Sequence, residues 1–165
     1  MRDIILVAHN LRSCHNVGSL LRTAEGLGVS KVILGGHTPH PSHAHDRRLP
    51  HEAEKTTRQI HKTALGAEDL VAWEYHHDIL PVLKKLQQAG YAVAAVEQTE
   101  DSRELPRYHP PEKIVLVLGR EVEGIEQEVL DACDTVLEIP MFGKKESYNV
   151  VQAAAMALYH CRFTA

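Results

Sequence analysis

The sequence predicts an α/β fold, a mostly parallel six-stranded sheet with helices on both faces, and three observations predict it. Six short runs are apolar and β-rich, the stretches between several of them carry helical spacing, and the runs are nearly continuous rather than alternating. Strands of that kind are buried on both faces, which is the habit of parallel sheets covered by helices. With 165 residues and 44% hydrophobic content, the chain can bury one full core, so residues 1–165 are expected to form a single domain.

Taken in order, "DIILVAH" (3–9) is the first strand and "NVGSLLRTAEGLG" (16–28) the helix behind it, stopped near Gly28. "KVILGG" (31–36) is the second strand. The next segment, 37–62, is polar and rich in His and Pro, and is expected to be a surface loop leading into a short helix. "LVAWEYHH" (70–77) is the third strand, followed by a helix over 78–90 that ends at Gly90. "YAVAAVEQ" (91–98) and "KIVLVLG" (113–119) are the fourth and fifth. A helix over 123–134 precedes the sixth, "TVLEIP" (135–140).

The last helix opens with Ser147, Tyr148 and Asn149. Ser147 is the expected N-cap, since its hydroxyl can take an orphan backbone donor. Beyond it, Val150, Ala153, Ala154, Ala157, Leu158 and Cys161 repeat at helical spacing, while Val151, Ala155 and Met156 fill much of the opposite side. Such a helix is buried on more than one face. An Asn in the first turn and the lead-in Gly143-Lys144-Lys145 are left unexplained by packing.

Charge and cysteine usage narrow the classes. A net charge of -4 argues against a wholly basic nucleic-acid module, though the pairs Arg47-Arg48 and Lys144-Lys145 can still make a local basic patch. Cys14, Cys133 and Cys161 are odd in number and lack C-x-x-C spacing, which points away from a disulfide framework and toward a reducing, cytoplasmic setting. The apolar run "IILVA" is too short for a membrane span or a signal core.

In open parallel sheets, ligands bind beyond the carboxyl ends of the strands. After "KIVLVL" comes Gly119-Arg120-Glu121-Val122-Glu123-Gly124, and after "TVLEI" comes Pro140-Met141-Phe142-Gly143-Lys144-Lys145-Glu146. Glycines there let backbone approach a ligand, or simply make a turn. A dinucleotide G-x-G-x-x-G after the first strand is absent. A P-loop around "GKKES" fails at Glu138 and Lys145. Arg22 lies in an otherwise apolar stretch, either as part of a solvated face or as a guanidinium fixed for an anionic partner such as phosphate. His37, His40, His43, His45 and His51 crowd one loop without helical ligand spacing, so RNA contact or plain loop composition is expected there rather than a metal site. Cys14 and His15 are adjacent on a loop and are not expected to face each other for catalysis.

The order of these signals is more specific than any one of them. N-x-x-x-x-x-R after strand one, L-G-x-E-x-x-G after strand five and I-P-M-x-G-x-x-x-S-x-N-V opening the last helix resemble the three motifs of the SpoU-like branch of the SPOUT RNA methyltransferases. The resemblance runs from "HNLRSCHNVGSLLRTA" to "MALYH". It implies the SPOUT fold, with the region from about 91 to 165 tied into a trefoil knot, which periodicity could not show. It implies an S-adenosylmethionine pocket formed by Val96, Glu97, Gln98, Gly119, Gly124, Ile139, Met141, Ser147 and Tyr148. Most family members carry Leu where this chain has Tyr148.

By the same resemblance, Arg22 grips a phosphate and assists the target hydroxyl, Asn16 and Asn149 hold Arg22 and the ribose, Ser147 sits beside the methyl donor, and Glu121 orients Asn16 or Arg22. Arg12, Arg47, Arg48, Lys55 and Lys144 are the candidate RNA contacts. The implied activity is methyl transfer to a ribose 2′-OH, with tRNA expected as substrate and rRNA as the alternative, in a homodimer pairing through the first and last helices and requiring no metal. The competing readings are a non-catalytic RNA-binding protein of the same fold and a metal-binding regulatory protein built on the histidine loop.

Overall fold

A computed structural model describes all 165 residues. Its strands are β1 (Asp3–His9), β2 (Lys31–Gly35), β3 (Trp73–His76), β4 (Ala92–Val96), β5 (Arg103–Glu104), β6 (Lys113–Leu118) and β7 (Thr135–Glu138). They form one sheet in the order β3-β2-β1-β6-β4-β7-β5, and every pairing is parallel. The sheet therefore has seven strands, not the six expected. The addition is two-residue β5 at the edge beside β7, too short to leave a periodic signal.

Both faces of the sheet are covered, as parallel strands require. Along β1 the side chains alternate: Ile4, Leu6 and Ala8 enter one core, and Ile5 and Val7 enter the other. The first core is closed by α1 (Cys14–Gly26) and α5 (Val150–Phe163), with Leu20, Leu21, Ala154 and Leu158 fully buried. The second is closed by α3 (Leu80–Gln88) and α4 (Gln127–Asp131) through Leu83 and Val129.

Between β2 and β3 lies α2 (Pro50–Ala64), a 15-residue helix where a loop and a short helix were expected. Pro50 starts it, a position where the missing N–H costs nothing. Only Ala53, Ile60 and Ala64 of its residues are buried, so its apolar stripe is thin. It packs closely on α1 because Gly18 has no side chain: a Cβ there would lie 2.2 Å from the Ile60 carbonyl oxygen.

Two further boundaries differ from expectation. α4 is shorter than 123–134 because residues 120–124 fold back, with Arg120 and Gly124 exchanging backbone hydrogen bonds and Gly124 at φ +72. The N-cap of α5 is Asn149, whose side chain accepts from the Val151 N–H at 2.9 Å; Ser147 lies outside the helix.

Candidate active site

All the strands run the same way, so the carboxyl ends of β4, β6 and β7 bring three loops together. Val96 ends β4, and Glu97 and Gln98 follow it. Leu118 ends β6, and Gly119, Arg120, Glu121, Val122 and Gly124 follow it. Ile139 and Met141 follow β7, and Glu146, Ser147 and Tyr148 lead into α5, whose Val150 and Ala153 close the floor. These residues line one pocket. All nine positions expected to hold a cofactor are among them, and Leu118, Arg120, Val122, Glu146, Val150 and Ala153 are additional.

The glycine loop after β6 is shaped by what it cannot carry. A Cβ on Gly119 would stand 2.5 Å from Ile125 Cγ1 and 2.7 Å from the Gly124 carbonyl carbon. Gly119 must therefore be bare for the loop to fold back. From the other side, Glu97 Oε2 accepts from the Ile125 N–H at 3.1 Å, pinning the loop to β4.

The donor set indicates what the pocket can hold. Its walls are half apolar, suited to a planar base, and three carboxylates, Glu97, Glu121 and Glu146, stand around it. Arg120 is the lone cation of the lining, and its Nη2 already donates to Glu126 Oε1 at 2.9 Å. A polyphosphate would find little free positive charge, whereas a nucleoside bearing a positive centre suits these surroundings. The residues present therefore fit S-adenosylmethionine.

The N-terminal motif meets this pocket at one bond, from Asn16 Nδ2 to Glu121 Oε1 at 3.1 Å. Arg22 is on the exposed side of α1 and does not line the pocket. Asn149 is also outside the lining; its Oδ1 is used on Val151, which leaves its amide N–H groups free to donate.

The basic candidates separate. Arg47, Lys55 and Lys144 are exposed. Arg12 pairs with Glu123 at 2.7 Å on the surface. Arg48 departs from expectation: its guanidinium donates to Asp46 Oδ1, to the carbonyls of His40 and Pro41 and toward His40 Nδ1, so it closes the loop and is not free for phosphate. His40 is buried and stacked on Tyr75 at a centroid distance of 4.1 Å, and burial pushes its imidazole toward the neutral form. The ligand atoms of His40, His43 and Asp46 lie within 4.8 Å of one another, and Arg48 already donates to Asp46 Oδ1 and lies 3.1 Å from His40 Nδ1. Burial raises the Cys14 thiol, the opposite of an activated nucleophile.

Sequence reasoning missed His9, Asn10 and Glu126, which join beside the pocket: Asn10 Nδ2 donates to Glu126 Oε1 at 2.7 Å, and His9 Nε2 lies 3.5 Å from Glu126 Oε2. A histidine and an asparagine ending a buried strand were the available signal.

Proteins that resemble this chain include RNA methyltransferases. The chain is 26% identical over 160 residues to the tRNA (guanosine(18)-2′-O)-methyltransferase of Thermus thermophilus, covering 97% of this chain and 74% of that protein. It is 28% identical to the 23S rRNA (guanosine-2′-O-)-methyltransferase of Neisseria meningitidis, covering 96% and 58%. Among solved structures, an RNA methyltransferase of the TrmH family from Porphyromonas gingivalis superposes with a TM-score of 0.81 at 25% identity, over 99% of this chain and 61% of that one. An rRNA methyltransferase from Sinorhizobium meliloti with AdoMet bound shares the fold at a TM-score of 0.76 and 22% identity, over 97% and 56%. A structure addressing 2′-OH methylation of C/U34 on tRNA shares it at 0.75 and 24%, over 97% and 94%. The chain thus spans from 56% to 94% of the length of these five proteins. By fold and family the chain is of the class of RNA 2′-O-methyltransferases. The chain belongs to the SpoU rRNA methylase family, whose model matches residues 3–159.

Proposed function

We propose that this chain transfers a methyl group to a ribose 2′-hydroxyl of RNA, with tRNA as the substrate and rRNA as the alternative. The observation that carries it is the meeting of three motifs at one pocket: the Asn16–Glu121 bond joins the N-terminal motif to the glycine loop, and Ser147 stands on the same lining. Bound S-adenosylmethionine supplies an electrophilic methyl group. The chain's residues do the rest.

Val96, Ile139, Met141 and Tyr148 offer apolar surface to the adenosine, and the backbone at Gly119 and Gly124 lets the loop approach it. Glu97, Gln98 and Ser147 serve the polar groups. A ribose hydroxyl is a weak nucleophile, so most of the rate comes from holding it in line with the methyl group. Asn149 donates to the ribose, and Glu121 orients Asn16. Arg22 would grip the adjacent phosphate and stabilise the charge growing on the ribose oxygen as the oxygen–methyl bond forms, the sulfur–methyl bond breaks and the hydroxyl proton passes to solvent.

Since Arg22 lies outside its own chain's pocket, the reading includes a homodimer through α1 and α5, in which RNA is held across two copies. Arg12, Arg47, Lys55 and Lys144 provide phosphate contacts. Residues 1–165 act as one methyltransferase domain, with the stretch from about 91 to 165 knotted. No helix is long and apolar enough to cross a membrane, and RNA modification in the cytoplasm, without a metal, completes the reading. Mapping 2′-O-methyl sites in RNA from cells with and without the protein tests it: loss of a specific site in tRNA supports the reading, and an unchanged map defeats it.

A further inference from the structure

The segment that carries Asn16 and Arg22 is joined to the glycine loop by three carboxylates. Glu121 takes Asn16, Glu123 takes Arg12, and Glu126 takes Asn10. The Arg12–Glu123 pair is exposed and worth little. The third join is different. Glu126 Oε1 accepts from Asn10 Nδ2 at 2.7 Å and from Arg120 Nη2 at 2.9 Å, so one oxygen holds both a pocket-lining residue and the root of the β1–α1 segment.

Asn10 is committed at both ends of its side chain. Its Oδ1 accepts from the His37 N–H at 2.8 Å, and its backbone is left-handed at φ +56. Asn tolerates that conformation better than most residues, though not as freely as Gly. Around the join, His9 Nδ1, Arg120 Nε and Glu126 Oε2 are buried without a hydrogen-bond partner. Buried polar groups left half-satisfied are poor means to stability, since each group without a hydrogen bond keeps its desolvation cost unrepaid. Their position beside the pocket points to placement of the reacting groups.

We propose that Glu126 and Asn10 are positioning residues for methyl transfer, holding the Asn16 and Arg22 segment in register with the pocket wall. The inference rests on the function proposed above. Glu126 does not line the pocket, so it acts through Arg120 and Asn10 and not on the reacting atoms.

Two variants separate this role from a structural one. Asn10→Asp keeps the acceptor for His37 and the tolerance for positive φ, but turns an oxygen toward Glu126 where an N–H had been. Asn10→Gly removes the side chain at a conformation glycine adopts without strain. Each is assayed with tritiated S-adenosylmethionine and bulk tRNA and rRNA from cells lacking the protein, alongside calorimetric S-adenosylmethionine affinity and Tm. The expected result is a fall in maximal rate of about tenfold or more, the scale of a modest misplacement, with affinity unchanged and the loss persisting at temperatures well below each variant's Tm. The double variant Asn10→Gly/Glu126→Ala should lose little more rate than Asn10→Gly alone, because both changes remove the same join. Wild-type rates in both single variants would overturn the inference, as would a rate that falls only in proportion to affinity or Tm. A wild-type protein that transfers no methyl group would defeat the proposed function and this inference together, whereas active wild type with fully active variants defeats the inference alone.

Discussion

Gly119 shows how one residue can decide the pocket. Its hydrogen occupies space that any Cβ would contest with the Gly124 backbone, which has no rotamer by which to yield. Gly119→Val should therefore abolish S-adenosylmethionine binding by calorimetry, by forcing the loop off β6. Circular dichroism should still report a folded chain, because the sheet core lies beneath the loop. Arg48 makes the contrasting case. Its bonds to Asp46 and the His40 and Pro41 carbonyls mean that Arg48→Ala should lower Tm, while Arg47, Lys55 and Lys144 changes should weaken RNA binding with an effect that shrinks as salt rises. The Arg48 hydrogen bonds hold the Asp46 carboxyl well below its ordinary 3.8. A depressed carboxylate contributes stability that is present above the ordinary value and lost as pH falls through the folded one. Arg48→Ala should therefore destabilise the protein at neutral pH and flatten its acid denaturation, which Tm measured against pH would show.

At the scale of elements, the start of α5 divides two tasks that the sequence leaves superposed. Ser147 and Asn149 both suit an N-cap, and only the backbone tells which residue precedes the first helical one: Asn149 caps, and Ser147 faces the pocket. Asn149→Ala should cost about 0.5–2 kcal/mol in thermal or denaturant melts. Ser147→Ala should leave Tm unchanged and reduce methyl transfer. Other elements were legible to different degrees for physical reasons. β1 and β6 could be read from sequence because parallel strands buried on both faces are apolar at nearly every position. α2 hid because three small or medium side chains suffice to dock it where Gly18 lets it come close. The fold-back of 120–124 hid as a helix start, since acidic residues suit one. The nine pocket positions were readable only through the motif order; His9, Asn10 and Glu126 escaped because their join spans 116 residues of sequence.

At the scale of the molecule, the apolar excess of α5 has a visible outlet. Tyr159 and Phe163 are 61% and 64% exposed, packed ring to ring at 4.7 Å on the helix face turned from the core. Aromatic surface of that kind is characteristic of interfaces. A homodimer should appear by light scattering at micromolar concentration, and Tyr159→Asp/Phe163→Asp should give a folded monomer that still binds S-adenosylmethionine and has lost transfer. A wild-type monomer with full activity would remove the need for a second copy near Arg22. Whether the pocket directs a methyl group to a ribose hydroxyl is read by following the label itself. Purified protein is incubated with methyl-tritiated S-adenosylmethionine and bulk tRNA, and the RNA is then hydrolysed in alkali, which needs a free 2′-OH to cleave. The label should be found in alkali-resistant dinucleotides, and Arg22→Ala, folded and binding cofactor as before, should transfer almost none. Label released in ordinary mononucleotides would place the methyl group on a base, and either that result or full transfer by Arg22→Ala would overturn the assignment of this site.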